Sequence, residues 1–142
     1  MNGDDAIPEP PPGFVRSEGR GQFSTRNGPY FHRLGDDPVV SQAFYTQAHH
    51  ANGVGLVHGG MLSAFMDGLL AHAIGRGTDK LGVTIHLSVD FLHMARMNEW
   101  VIGEARMTRA TREVAFAEGV ARSRGVDVVR ASGIFKLMER KG

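Results

Sequence analysis

Three features in the middle of the chain have the residue types and the spacing to do chemistry on a carbonyl. Asn52 lies in a glycine-rich stretch, His49-His50-Ala51-Asn52-Gly53-Val54-Gly55-Leu56-Val57-His58-Gly59-Gly60, and Asp67 follows inside an apolar segment, Met61 to Arg76. Gly59 and Gly60 stand where that segment would begin as a helix. Early helix N–H groups have no internal acceptor, and the helix dipole adds positive potential there. Glycine lets a ligand approach the backbone closely. The combination suits the oxyanion formed when a carbonyl is attacked. A carboxylate such as Asp67 can take a proton from water or attack directly. The Asn52 amide can donate and accept at once.

Each feature also has a plain structural use. Gly-Gly before a helix makes a tight turn, an acid in an apolar helix can bond a histidine such as His72, and an asparagine can brace its loop. Singly, the structural use is favoured; the joint spacing favours chemistry. The spacing also sets a constraint. Asp67 lies ~10 Å along the axis from Gly60 at 1.5 Å per residue, too far to serve a carbonyl held at its own helix start. A second chain, related by a twofold axis, could bring its Asp67 opposite Gly59 of the first.

The elements that must position these residues follow from periodicity. Residues 1–26 are expected to be extended or partly disordered, with Pro8, Pro10, Pro11 and Pro12 at the start and little to bury. Residues 27–142 form the domain. Tyr30–Leu34 and Val39–Ala48 read as a hairpin. In the central segment Leu62, Phe65, Met66, Leu69, Leu70, Ala73 and Ile74 recur at helical spacing, and the other faces are small rather than charged, which predicts a helix wrapped on most sides. Leu81 to Phe91 alternates cleanly with period two. Trp100–Thr108, Val114–Arg122 and Val126–Leu137 follow after short breaks, so these four strands are expected to form an antiparallel meander. The predicted architecture is α+β, a curled antiparallel sheet of about six strands around one long helix.

Composition bounds the rest. One domain of 142 residues, 42% hydrophobic and 22% charged, is an ordinary globular balance. A formal charge of +1 gives no field for nucleic acid or an anionic membrane surface. The absence of cysteine excludes disulfides, thiolate metal sites and a cysteine nucleophile. The N-terminus has no signal-peptide pattern and Met61–Ile74 is too short to span a bilayer, so a cytoplasmic protein is expected. His49, His50 and His58 lie in a loop without a carboxylate at ligand spacing, which argues against a metal site.

The pattern His50-x-Asn52-x-x-Gly55-x-x-His58-Gly59-Gly60, followed by Asp67, resembles the signature of hotdog-fold acyl-CoA thioesterases. It is most similar to the phenylacetic-acid-degradation (PaaI-like) type within the hydroxybenzoyl-CoA thioesterase superfamily. The resemblance covers roughly Gly28 to Leu137. It implies the hotdog fold, acyl-CoA hydrolysis with an aromatic or medium-chain acyl group, and no metal or organic cofactor. It implies that Asp67 is the catalytic base or nucleophile, that the Gly59 N–H polarises the thioester oxygen, that Asn52 orients water or carbonyl, and that Thr84 assists the water. It further implies a site shared by two chains of a homodimer, with pairing into a homotetramer left open. His50 and His58 are assigned mainly to loop support, with Gly60 beside them. Phe65, with Met66 and Leu69, is expected to shape acyl specificity. Arg109 and Arg112 are candidates for the CoA phosphates, as are Arg96, Arg122 and Arg124. The chain departs from the family where Met94-Ala95 replaces a common Pro-Ala pair and Asn98-Glu99 replaces a Gly-acid turn. A non-catalytic acyl-CoA-binding or regulatory hotdog domain is the alternative; loss of the acid or the asparagine would mark it, and both are present.

Overall fold

The apolar segment folds as a helix, α2, running Gly59–Thr78, two residues longer at each end than its hydrophobic pattern. His58 caps its start, and Asp79 ends it in the left-handed conformation (φ 58°) with its N–H bonded to the Gly75 carbonyl. The computed structural model describes residues 7–140. Around α2 curls one antiparallel sheet of β1 (Phe14–Arg16), β2 (Phe31–Arg33), β3 (Val40–Tyr45), β4 (Leu81–Phe91), β5 (Trp100–Ala110), β6 (Val114–Ser123) and β7 (Val126–Met138). A short helix, α1 (Gly21–Asn27), links β1 to β2. This is the hotdog architecture, with an open sheet rather than a closed barrel.

Seven strands stand where about six were expected. The added one is β1, which pairs with β2 through Phe14↔Arg33 and Arg16↔Phe31. It lies inside residues 1–26, where α1 also begins. The expected β2–β3 hairpin is present.

The expected meander needs correction. The order is β1-β2-β3-β5-β6-β7-β4, so only β5, β6 and β7 follow one another in space. β4 pairs with β7 and forms the far edge. The reason lies in residues 92–99, which do not turn back as a hairpin. They cross the end of the sheet, tied by Leu92 N–H to the Val128 carbonyl, Val57 N–H to the Ala95 carbonyl and Asn98 N–H to the Thr46 carbonyl. β5 thus enters beside β3 instead of β4.

The core lies between α2 and the concave face. Leu62, Phe65, Met66, Leu69, Leu70 and Ile74 are fully or almost fully buried against Phe44, Val101, Val129 and Phe135. Fit is close: a β-carbon at Gly103 would come within 2.7 Å of Leu69 and 2.9 Å of Phe65. The helix is less wrapped than its small side chains suggested. Ser63, Ala64, Asp67, Gly68, Ala71 and His72 form a half-buried flank that the chain's own strands do not cover.

The clean alternation of β4 conceals a bulge. Thr84 pairs with Phe135 and His86 with Ile134, leaving Ile85 as an extra residue. Before the bulge Gly82 and Thr84 face α2, and Leu81, Val83 and Ile85 point outward, 47%, 51% and 58% exposed. After it Leu87 and Val89 turn inward against the core.

Candidate active site

The loop before α2 is held from beneath by two histidines. His50 is 2% exposed; its Nδ1 accepts the Gln47 N–H at 3.0 Å, and its Nε2 meets the Asn27 carbonyl at 2.6 Å. One nitrogen accepts and the other faces a carbonyl, so the neutral Nε2–H tautomer fits both contacts. Burial pushes its pKa down to about 4, against the opposing pull of the Asn27 carbonyl. His49 Nε2 lies 2.7 Å from the Gly28 carbonyl. Both rings fasten the loop to the turn after α1, the support role expected of His50.

Asn52 then shapes the loop itself. Its Oδ1 accepts the N–H groups of Val54 (3.0 Å) and Leu56 (3.1 Å). Its Nδ2 donates to no partner among the described residues. The bracing and the chemical uses of this side chain are therefore compatible, since they employ different atoms.

His58 decides which helix N–H remains available. Its Nδ1 accepts the Gly60 N–H at 2.7 Å, an N-cap made by imidazole where a hydroxyl or carboxylate is more usual. The Met61 and Leu62 N–H groups both reach the His58 carbonyl. Gly60 is thus committed to the cap, and the Gly59 N–H is left without an acceptor among the described residues. Gly59 lines a cleft of about 340 Å³ with Asn52, Leu62, Phe91, His93 and Met94, among others. A β-carbon at Gly59 would come within 3.4 Å of the Phe91 ring, so glycine keeps this N–H approachable.

Asp67 and Thr84 form a second group. The Thr84 hydroxyl donates to Asp67 Oδ1 at 2.5 Å. The Ile85 bulge makes this possible, because unbroken alternation would put Thr84 on the face of Ser88 and Asp90. Asp67 Oδ2 is free of partners among the described residues. Neither Asp67 nor Thr84 lines the cleft at Gly59, and Asp67 stands eight positions after Gly59 in α2, about 12 Å along the axis. Within one chain these two groups of residues do not meet.

Other expected residues fall elsewhere. Phe65 is 1% exposed, stacked on Tyr30 (centroids 6.2 Å apart) and tilted on Phe44, so it belongs to the core with Met66 and Leu69 and forms no open pocket wall. Arg109 and Arg112 sit at the β5–β6 turn. The neighbouring Met107 packs on Gly77 near the C-terminal end of α2, the opposite end from Gly59. Arg96 and Arg124 instead line a 270 Å³ cavity with His93 and Met94, next to the Gly59 cleft. Among the described residues no group of His, Asp and Glu could hold a metal ion.

Sequence reasoning missed one cluster. Arg20 lies over the Tyr30 ring at 4.6 Å and donates to Gln42 Oε1 at 3.2 Å; Gln42 Nε2 lies 3.0 Å from His72 Nδ1. Burial, then the nearby charge of Arg76, lower the His72 pKa to about 4. No spacing rule links residues 20, 30, 42 and 72, which only the fold brings together.

The geometry gains its context from known proteins. The family model described as the thioesterase superfamily matches residues 54–129, just over half of the chain. The chain belongs to this superfamily, whose chemistry is thioester hydrolysis. It is 32% identical over 112 residues to the Pseudomonas aeruginosa protein PA0474, an esterase by name, covering 78% of this chain and 84% of the other. Among solved structures it resembles a variant of the phenylacetic acid degradation protein PaaI from Thermus thermophilus, with TM-score 0.74, 21% identity, and 82% and 98% of the two chains covered. It also resembles smu.793 from Streptococcus mutans bound to acetyl CoA, with TM-score 0.71, 14% identity, and 78% and 90% covered. The superfamily member described here is a thioester hydrolase, and no helix among its described residues is long and apolar enough to cross a membrane.

Proposed function

We propose that this thioesterase hydrolyses acyl-CoA thioesters to the free acid and CoA, at a site assembled from two copies of the chain. The observation that carries the reading is the 2.5 Å hydrogen bond from Thr84 to Asp67 Oδ1. It fixes a carboxylate on the uncovered flank of α2 with its second oxygen free for water. The Gly59 N–H of the other copy receives the thioester oxygen. In the general-base form, Asp67 takes a proton from water as the new C–O bond forms, and the carbonyl electrons move to the oxygen held at Gly59. The C–S bond then breaks as the oxyanion collapses, and CoA leaves as a thiolate that takes up a proton. In the nucleophile form, Asp67 attacks the thioester carbon and the C–S bond breaks as CoA leaves as a thiolate that takes up a proton. Water then cleaves the mixed anhydride to the free acid and the Asp67 carboxylate.

Self-association is part of this proposal. β4 is an eleven-residue edge strand with Leu81, Val83 and Ile85 exposed beside it. Such an edge is a template for another strand, and a second copy paired there would set the two α2 flanks side by side. The acyl group would lie between them, so both copies would shape its pocket. No cofactor is needed for the chemistry described, and the cytoplasm, where acyl-CoA is made and used, is the compartment that suits it.

The test is CoA release from short, medium, long and aromatic acyl-CoAs, repeated with Asp67→Ala. Cleavage that the substitution abolishes is the expected result. No cleavage of any thioester, or full activity in Asp67→Ala, would overturn the reading. Single-turnover hydrolysis in H2-18O separates the two forms: label entering Asp67 marks the nucleophile.

A further inference from the structure

Arg20 is a cation without a counter-charge. It makes no ion pair among the described residues; its contacts are the Tyr30 ring face and the neutral Gln42 amide. Burial lowers its pKa below the ordinary arginine value, although the charge persists. Both partners are themselves buried, Tyr30 at 5% and Gln42 at 4% exposure, so the guanidinium is seated on a fixed platform. Desolvating a charge without pairing it is costly. A guanidinium held flat, with donors unspent, is suited to a carboxylate.

Its place gives it a use. Nη2 lies 2.6 Å from where a β-carbon of Gly68 would stand, so a methyl there would displace the guanidinium from its seat on α2. Gly68 is the residue after Asp67, and adjacent Cα atoms are about 3.8 Å apart. The cation therefore borders the same uncovered flank that carries the carboxylate. Ala64, Gly68 and Ala71 on that flank raise nothing larger than a methyl between the two. His72, also beside Arg20, is neutral above about pH 4, and the Arg76 guanidinium near it already donates to the Asp37 carbonyl at 2.6 Å.

We propose that Arg20 binds a carboxylate at the far end of the acyl group, which makes short dicarboxylic monothioesters of CoA the preferred substrate class. This rests on the acyl-CoA hydrolysis proposed above. The acyl carbonyl sits at Asp67, the chain crosses the small-residue flank, and the distal carboxylate accepts from Arg20.

The experiment compares adipyl-CoA with hexanoyl-CoA and glutaryl-CoA with pentanoyl-CoA, each corrected for its enzyme-free rate, in wild type, Arg20→Gln, Arg20→Lys and Gly68→Ala. Wild type is expected to favour the dicarboxylic member of each pair by about tenfold or more in kcat/KM. Arg20→Gln lowers that ratio at least tenfold, chiefly through KM for the dicarboxylic substrate, and slows the neutral substrates only a few-fold. Arg20→Lys keeps part of the preference. Gly68→Ala lowers it without altering Arg20 itself, and serves alone if Arg20→Gln does not fold. A wild-type preference for the neutral acyl groups or for hydroxyphenylacetyl-CoA overturns the inference while leaving acyl-CoA hydrolysis standing. So does an equal loss on both members of each pair, which would make Arg20 only an anchor for the segment before α1. No CoA release from any thioester is a different failure: it removes the hydrolase reading, and this inference with it.

Discussion

Replacing Thr84 with valine is the sharpest probe of the Asp67 half-site. Valine keeps the shape and β-branching of threonine and deletes only the hydroxyl, which donates to Asp67 Oδ1 at 2.5 Å. A hydrogen bond to a charged group contributes about 1.5–3 kcal/mol where water is excluded. In an isolated chain Thr84 is exposed and water can replace the lost donor, so the effect on stability is small, of order 0.5 kcal/mol. In the proposed two-chain site, closed by substrate and a second copy, no such replacement is free. There the loss falls on the transition state, at 1.36 kcal/mol per factor of ten, or about 10- to 100-fold in kcat. Thiol release from the best substrate of the acyl-CoA panel gives kcat and KM, and a thermal melt reports folding. The expected result is a kcat loss of that size with KM and the melting temperature little changed, and recovery of most activity in Thr84→Ser. Activity of Thr84→Val within twofold of wild type would refute the assignment of Thr84 as the group that holds the carboxylate.

Stability falls on the acid side, and the sign follows from His50: its pKa is about 4 folded and about 6.5 unfolded. The stabilisation is full above pH 6.5 and is lost as pH drops toward 4, of order 2–3 kcal/mol for this one group; half-buried His72 adds less. Urea melts between pH 7 and 4 measure this, and a His50→Gln protein with the same pH slope would contradict it. His58→Ala removes the cap on Gly60 and costs about 1 kcal/mol; it also lowers kcat, since the freed Gly60 N–H and the Gly59 N–H are no longer held in fixed relation, and His58→Asn restores much of both. Gly103→Ala overpacks Leu69 and Phe65 and destabilises by about 1–3 kcal/mol, read by denaturant midpoint. Val83→Glu with Ile85→Lys places unlike charges on the outer side of β4 and is expected to shift the protein toward monomer in sedimentation, with activity falling in parallel.

How much of this was legible in the sequence differs from element to element. α2 was, because eight buried positions recur at helical spacing and a glycine pair precedes them. The separation of Asp67 from Gly59 was too, since helical rise is fixed. The strand order was not. Residues 92–99 contain turn-forming Asn98, and local chemistry alone does not distinguish a hairpin from a crossing segment whose bonds go to Val128, Val57 and Thr46. Residue types alone left two glycines for the helix N–H, and the resemblance implied Gly59. The physical reason, Gly60 committed to the His58 side chain, depends on a side-chain direction that the sequence does not specify. Phe65 is an apolar residue near an acid, and its face is settled by packing against Tyr30 and Phe44. Arg20 carried no signal, because its partners are remote in the chain.

The extra residue in β4 has a wider consequence. It inverts the phase of the strand halfway along, so one continuous alternation encodes two different surfaces. Odd positions up to Ile85 address the exterior and odd positions from Leu87 address the core, with even positions doing the reverse. A library that assigned solvent and core residues to β4 by parity would therefore be right on one half and inverted on the other. Removing Ile85 would be more than a shortening by one residue: it would force either Thr84 away from Asp67 or Leu87 out of the core. The strand can keep both only because it carries this one residue out of step.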